Sequence, residues 1–401
     1  MRELMLRHKN LTLTLICLID ALFLVFCVSN LSISYYEASI FFEKNNAISY
    51  IIRASCAVFG RNDFALRLPM IIFNILSIVL LYKISKFYIK FEFDRIVSVI
   101  LFVLLPGTLT SGVVVDNAGF CMMLTLLVVY LYHSKFYLLF YIVFISLVAI
   151  DRDFMVLYLA FFFFATNRKN IRLAWVSGLL LLFSFYLFGF DTRGRPSGHF
   201  IDTFGIFAAV FSPFVFLFFI YTLYRIWVKE SKELLWFIAT SSFCFCMIIS
   251  IRQRLQLEEF LPFCLIATPI MVRVFFNSYR VRLPQFRKKY KIFTALVLVF
   301  LYFNSITLAL NPLLYTIMHH PDRHFAYKFH IVRELSDELK KLGETDIYVR
   351  DYKLGLRLKF YGIYASDSAK KELIDTNLDK TSQIKIEKFD KLIASFDIVP
   401  I

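Results

Sequence analysis

The chain has 401 residues, 59% of them hydrophobic, with 48 Phe and a formal net charge of +15. A soluble domain of this length would carry roughly 45–50% apolar residues, so an ordinary soluble globular protein is excluded. The apolar excess is gathered into long runs that end near Leu310, most of them close to the ~20 residues a bilayer span requires.

Lipid offers no partners to backbone N–H and C=O, so such runs must be helices or a closed barrel. The alternating ten-residue strands of a barrel are absent. About eleven spans are expected, near 11–29, 68–86, 96–114, 118–133, 136–150, 154–166, 172–190, 205–224, 234–251, 260–278 and 292–310. The first follows Arg2, Arg7 and Lys9 but is long and lacks a small-residue cleavage site, and it reads as an uncleaved span. Alternate inter-span segments hold 21 Lys and Arg on one side and nine on the other before residue 312. That bias predicts a cytoplasmic N-terminus and, with an odd number of spans, a C-terminal domain outside. The positive charge is therefore a topology signal and needs no nucleic-acid partner.

The seven cysteines lie before residue 265, six of them in apolar runs, and read as small buried hydrophobes. Cys244 and Cys246 would sit about 200° apart on a helix, which does not suit a metal or redox pair.

Residues 312–401 differ in kind, with 15 basic and 14 acidic residues. Ile331, Leu335, Leu339 and Leu342 follow helical spacing, and Gly343 stands where a C-cap glycine belongs. Ile347-Tyr348-Val349, Ile384-Lys385-Ile386 and 393–399 read as strands, and 354–361 as a second helix. The expected architecture is an all-α polytopic membrane core over 1–311 followed by a small extramembrane α/β domain over 312–401. The run from His319 to His324 reads as a polar turn, with metal binding as the alternative.

Ten carboxylates before residue 312 fall on the outer side, most beside a span end. Carboxylates at a membrane edge are costly unless paired, solvated or metal-bound, and they often mark function. Three segments concentrate them: Ser32 to Ala38 with its continuation Arg61 to Pro69, the turn Val113 to Ala118, and Ile150 to Phe154.

Glu37-Ala38, a short amphipathic stretch, and then Phe59-Gly60, Asn62-Asp63, Ala65 and Arg67-Leu68-Pro69 resemble the opening of GT-C class membrane glycosyltransferases. That class includes protein O-mannosyltransferases and the aminoarabinose transferases of lipid A. The segment from Pro106 to Asp116 is similar to their second acidic element. Arg254 to Pro262, with Pro269, is similar to a late Arg-to-Pro entry. The likeness is diffuse over residues 30–365, with Arg67-Leu68-Pro69 its most specific phrase. Two positions depart from the pattern: Tyr36-Glu37 stands where the class has Asp-Glu, and Asp151-Arg152-Asp153 where many members have Lys-Gly.

The resemblance implies transfer of a sugar from a polyprenyl-phosphate carrier to a lipid, glycan or protein acceptor at the periplasmic face of a bacterial inner membrane. The attacking hydroxyl or amine must lose a proton, so a carboxylate within hydrogen-bond reach is required. Glu37 and Asp116 are the expected bases. Arg67, Arg252 and Arg254, then Arg193 and Arg195, are expected at the donor phosphate, where a guanidinium stabilises the leaving charge. A divalent metal ion held by carboxylates is the other device, with Asp151, Asp153, Glu258 and Glu259 as substrate or metal contacts. Two further classes remain open. A flippase or transporter for lipid-linked glycans needs polar groups inside spans, and Asp20 is the one acid placed there. A non-catalytic protein derived from the same fold would explain the missing Asp.

Overall fold

The computed structural model describes residues 9–189, 198–252, 260–366, 369–376, 378 and 381–401. Helices occupy every predicted span. They are α1 (Lys9–Ser29), α2 (Tyr35–Phe42), α3 (Ala47–Phe59), α4 (Asp63–Tyr88), α5 (Glu92–Leu104), α6 (Pro106–Val113), α7 (Asn117–His133) and α8 (Tyr137–Ile150). There follow α9 (Met155–Asn167), α10 (Ile171–Phe188), α11 (Phe200–Phe211), α12 (Pro213–Lys229), α13 (Leu234–Ser250), α14 (Pro262–Leu265), α15 (Thr268–Val281) and α16 (Pro284–Ala309). Among the described residues, five helical stretches are long and apolar enough to cross a membrane, or seven if each of two bent pairs counts as one span. That fits a multi-pass membrane protein.

Two predicted spans are not straight. The span predicted at 96–114 is α5 plus α6, bent by 61° at Pro106, and that at 205–224 is α11 plus α12, bent by 104°. Proline lacks the N–H that would continue the ladder. Before Pro213, Ser212 adopts φ +68°, which turns the chain out of the helix. The predicted spans at 118–133, 136–150, 154–166 and 234–251 are helices of 13 to 17 residues.

The chain divides into two compact units. The first comprises residues 1–22, 70–112 and 116–305. Its interior is aromatic: Phe140 and Phe144 of α8 meet Phe161 and Tyr158 of α9, and Phe207, Phe211, Phe216, Phe219 and Phe243 join α11, α12 and α13. Glycines allow close approach at two places. A Cβ on Gly107 would lie 2.3 Å from a Val210 methyl, and one on Gly119 would lie 2.7 Å from the Ser111 carbonyl oxygen. Acids expected on the cytoplasmic side are ion-paired: Glu92 with Arg95, Asp94 with Arg280, and Glu230 and Glu233 with Arg273. Asp20, buried in α1, accepts a 2.8 Å hydrogen bond from the Asn74 amide of α4.

The second unit gathers residues 23–69, 113–115 and 306–401, so the first long loop packs with the expected C-terminal domain. That domain contains α17 (Val332–Lys341), β1 (Asp346–Val349), α18 (Tyr352–Phe360), β2 (Tyr364–Ala365), β3 (Lys371–Asp375), β4 (Ile384–Lys388) and β5 (Lys391–Pro400). The sheet order is β2-β1-β3-β5-β4, with β1 parallel to β2 and β3, and β5 antiparallel to β3 and β4. Val332, Leu335 and Leu339 of α17 close the core over Ile347, Leu358, Ile386 and Phe396. Gly343 takes φ +77°, the left-handed conformation expected past a helix end.

Candidate functional site

The sequence Ser34-x-x-Glu37 begins α2 as a reciprocal cap. The Ser34 hydroxyl accepts the Glu37 N–H at 3.3 Å, and the Glu37 Oε2 accepts the Ser34 N–H at 2.8 Å. This is the Ser/Thr-x-x-Glu capping box, which satisfies two of the donors a helix start leaves open. Farther along the loop, Arg53 of α3 binds the carbonyls of Phe41 and Lys44 and so closes the other end of α2.

Arg67 lies one turn into α4 and reaches back to the same carboxylate. Its Nε donates to Glu37 Oε1 at 3.2 Å and its Nη2 to Oε2 at 2.9 Å. The other guanidinium hydrogens go to the Leu31 and Ser32 carbonyls at 3.1 and 2.8 Å, with Asp63 Oδ1 3.6 Å away. Glu37 Oε1 also accepts the backbone N–H of Val115 at 3.1 Å. Both side chains are fully buried.

This geometry bears on two sequence-based expectations. Glu37 accepts four hydrogen bonds and is closed to solvent. Arg67 spends four of its five N–H donors on Glu37 and backbone carbonyls, with Asp63 facing the fifth, and so clamps the loop. The pair meets the condition for a buried ion pair, in which every charge is matched and hydrogen-bonded.

The cluster extends into the α/β domain. Tyr361 donates its hydroxyl hydrogen to Asp63 Oδ1 at 2.7 Å and accepts the Ile33 N–H at 3.0 Å. Arg333 stands 3.6 Å from Asp63 Oδ2 and donates to the Ser29 carbonyl at 2.9 Å. Arg357 of α18 donates to the carbonyls of Ile33 and Lys328. Sequence reading missed Tyr361, Arg333 and Arg357 as partners of the first loop, because nothing local links positions some three hundred residues apart.

The other predicted carboxylates belong to the first unit. Asp116 is the N-cap of α7, its Oδ1 accepting the Ala118 N–H at 2.9 Å. The next residue, Asn117, donates its side-chain amide to Asp151 Oδ2, and Asp151 Oδ1 accepts the Asp153 N–H at 3.2 Å. The turn before α7 and the turn between α8 and α9 are thus tied through one amide. Burial pushes the Asp151 carboxyl above the usual carboxylate range. Asp153 is buried with Arg152 Nε 3.9 Å away. Arg252 is exposed in the turn after α13. Arg193, Arg195, Arg254, Glu258 and Glu259 lie outside the described residues.

Among the described residues, no group of three or more His, Cys, Asp or Glu side chains is placed to hold a metal ion. His324, in the run read as a polar turn, is buried: its Nε2 donates to the Asn311 carbonyl and its Nδ1 accepts the Ala326 N–H, both at 3.0 Å. Both nitrogens are therefore used by the neutral ring. No protein-family model and no curated protein matches the chain.

Proposed function

We propose that the chain is a membrane glycosyltransferase that moves a sugar from a polyprenyl-phosphate carrier to an acceptor at the periplasmic face of a bacterial inner membrane. In this reading about eleven helices span the bilayer, the N-terminus is cytoplasmic and the α/β domain is periplasmic. The support comes from one bond, Glu37 to the Val115 N–H. It joins the first-loop phrase that resembles the GT-C class to the residue preceding Asp116. Asp116 is then the proton acceptor. The leaving phosphate needs a cation or a carboxylate-held divalent metal, for which Arg252, Asp151 and Asp153 are the predicted groups among the described residues.

The test is mass spectrometry of products formed from labelled polyprenyl-phosphate sugars by the protein in vesicles. Asn caps a helix as well as Asp does, so Asp116→Asn keeps the fold and removes the base. Transfer should fall by two to four orders of magnitude, as expected for loss of a general base, roughly 10²–10⁴-fold. Unchanged transfer would eliminate Asp116.

A second reading, a non-catalytic protein built on the same fold, draws on two observations. Tyr36 occupies the place of the class's Asp, and its ring lies beneath the Lys44 ammonium at 4.4 Å. Glu37 and Arg67 saturate one another. Absence of transfer with every polyprenyl-phosphate sugar offered to the intact protein would favour it. A transporter for lipid-linked glycans finds support only in the buried Asp20–Asn74 pair.

A further inference from the structure

The cluster that joins the first loop to the α/β domain carries more positive charge than negative. Arg67, Arg333 and Arg357 face the two carboxylates of Glu37 and Asp63. Glu37 is matched by Arg67, and Asp63 lies between Arg67 and Arg333. Arg357 is the unmatched member. It is 8% exposed, and its Nε and Nη2 donate to two backbone carbonyls, with no carboxylate within ion-pair distance among the described residues. The exposed Asp351 caps α18 by accepting the Lys353 N–H at 3.0 Å and makes no ion pair with Arg357. Carbonyl dipoles solvate a guanidinium only in part, and a buried cation without an anion is costly. Burial accordingly pushes the Arg357 guanidinium down to about 10.

Arg357 also meets the start of α2. Its Nε bonds the carbonyl of Ile33, just before the Ser34 cap, and Lys353, one turn earlier on α18, lies 5.5 Å over the Tyr35 ring. A helix start favours negative charge. Glu37 already supplies that charge at α2, so the two cations on this face of α18 add positive charge beside the helix start that its own cap does not balance.

We propose that the Arg357 cluster is a binding site for one phosphoryl group, carried on a lipid or free in solution. A phosphate monoester or diester supplies the charge the cluster lacks and oxygen acceptors for a guanidinium and an ammonium. The assignment holds with or without sugar transfer at Asp116.

Binding of two probes, inorganic phosphate and a polyprenyl monophosphate, by the intact protein in detergent at fixed ionic strength tests the proposal. Arg357→Gln should abolish binding. Arg333→Gln brings the cluster to neutrality and should weaken binding about tenfold, the size of one charge-assisted contact. Asp63→Asn keeps an acceptor for Tyr361 and adds one unmatched positive charge, so it should tighten binding. A purely structural cluster would not respond in opposite directions to those two changes. If Arg357→Gln does not fold, the opposed responses of Arg333→Gln and Asp63→Asn decide alone. Binding of both probes assigns the site to the phosphoryl group itself, and binding of the polyprenyl monophosphate alone assigns it to a lipid carrier. No binding of either probe, or equal affinity in all variants that fold, overturns it.

Discussion

The carboxylate of Glu37 accepts the backbone N–H of Val115 at 3.1 Å, seventy-eight positions away along the chain. The same carboxylate caps α2 and receives two donors from Arg67. One side chain thus fixes a helix start, a guanidinium and a distant turn. The physical consequence is that its charge cannot be removed without exposing three sets of donors at once.

Glu37→Gln should therefore act on stability before it acts on any chemistry. Removing one member of a buried ion pair costs about 3–5 kcal/mol, because the remaining charge has nowhere to go. Arg67→Met should cost a similar amount, and the double variant should cost less than the sum of the two. Thermal unfolding in detergent of the four proteins measures this, and strict additivity would show that the two groups are not coupled.

Ser34→Ala removes only the hydroxyl half of the cap and leaves the Glu37–Arg67 pair in place. A loss of about 1 kcal/mol is expected, the usual value for an N-cap hydroxyl. Ser34→Asp should restore less than Ser34→Thr, because Asp would set a second carboxylate beside Glu37. Equal behaviour of the two replacements would argue against that crowding.

The α/β domain should weaken in acid. Burial, with the positive charge of neighbouring His324, Lys388 and Arg333, pushes His330 from an ordinary 6.5 down to about 3. Its Nδ1 is bonded to the Tyr315 hydroxyl at 2.9 Å. Between those two values the unfolded chain holds a proton that the folded chain refuses, so the stabilisation is complete above pH 6.5 and is lost as pH falls towards 3. His324, also lowered by burial, adds in the same direction. Hydrogen exchange of peptides from residues 312–401, corrected for intrinsic rates, should accelerate over that window in the wild type and less in His330→Gln.

Gly119→Ala tests the packing of the first unit. The added methyl would stand 2.7 Å from a backbone carbonyl oxygen of Ser111, which cannot rotate away. Overpacking of this kind typically costs about 1–3 kcal/mol. An unchanged melting temperature would mean that α6 and α7 separate freely.

Much of the fold is legible because its signals are local. Apolar runs placed the helices of the first unit, and helical spacing ahead of Gly343 located α17. The breaks in two spans were also written locally, in Pro106 and in Ser212-Pro213, although an apolar run conceals them from a hydropathy window. β3 was missed: Lys371 to Asp375 alternates around a single buried Leu373 and draws its strand character from pairing with β5. The cluster around Glu37 was legible in its residues but not in its bonds. Ser34-x-x-Glu37 carries a capping signature that reads equally as a catalytic carboxylate in a loop. Only the approach of Arg67, thirty positions on, distinguishes the two.

The second unit is assembled from three pieces of chain, and its bonds close at different times during synthesis. Glu37 and Arg67 emerge together, whereas Tyr361 follows Asp63 by 298 positions. At about 5–20 residues per second the gap is roughly 15–60 s. Throughout that interval the nascent first loop holds a carboxylate awaiting its hydroxyl donor. A ribosome that stops before α18 leaves Asp63 without Tyr361 and the Ile33 carbonyl without Arg357. Such a product would present an incomplete loop to quality-control proteases, even with every apolar helix already made.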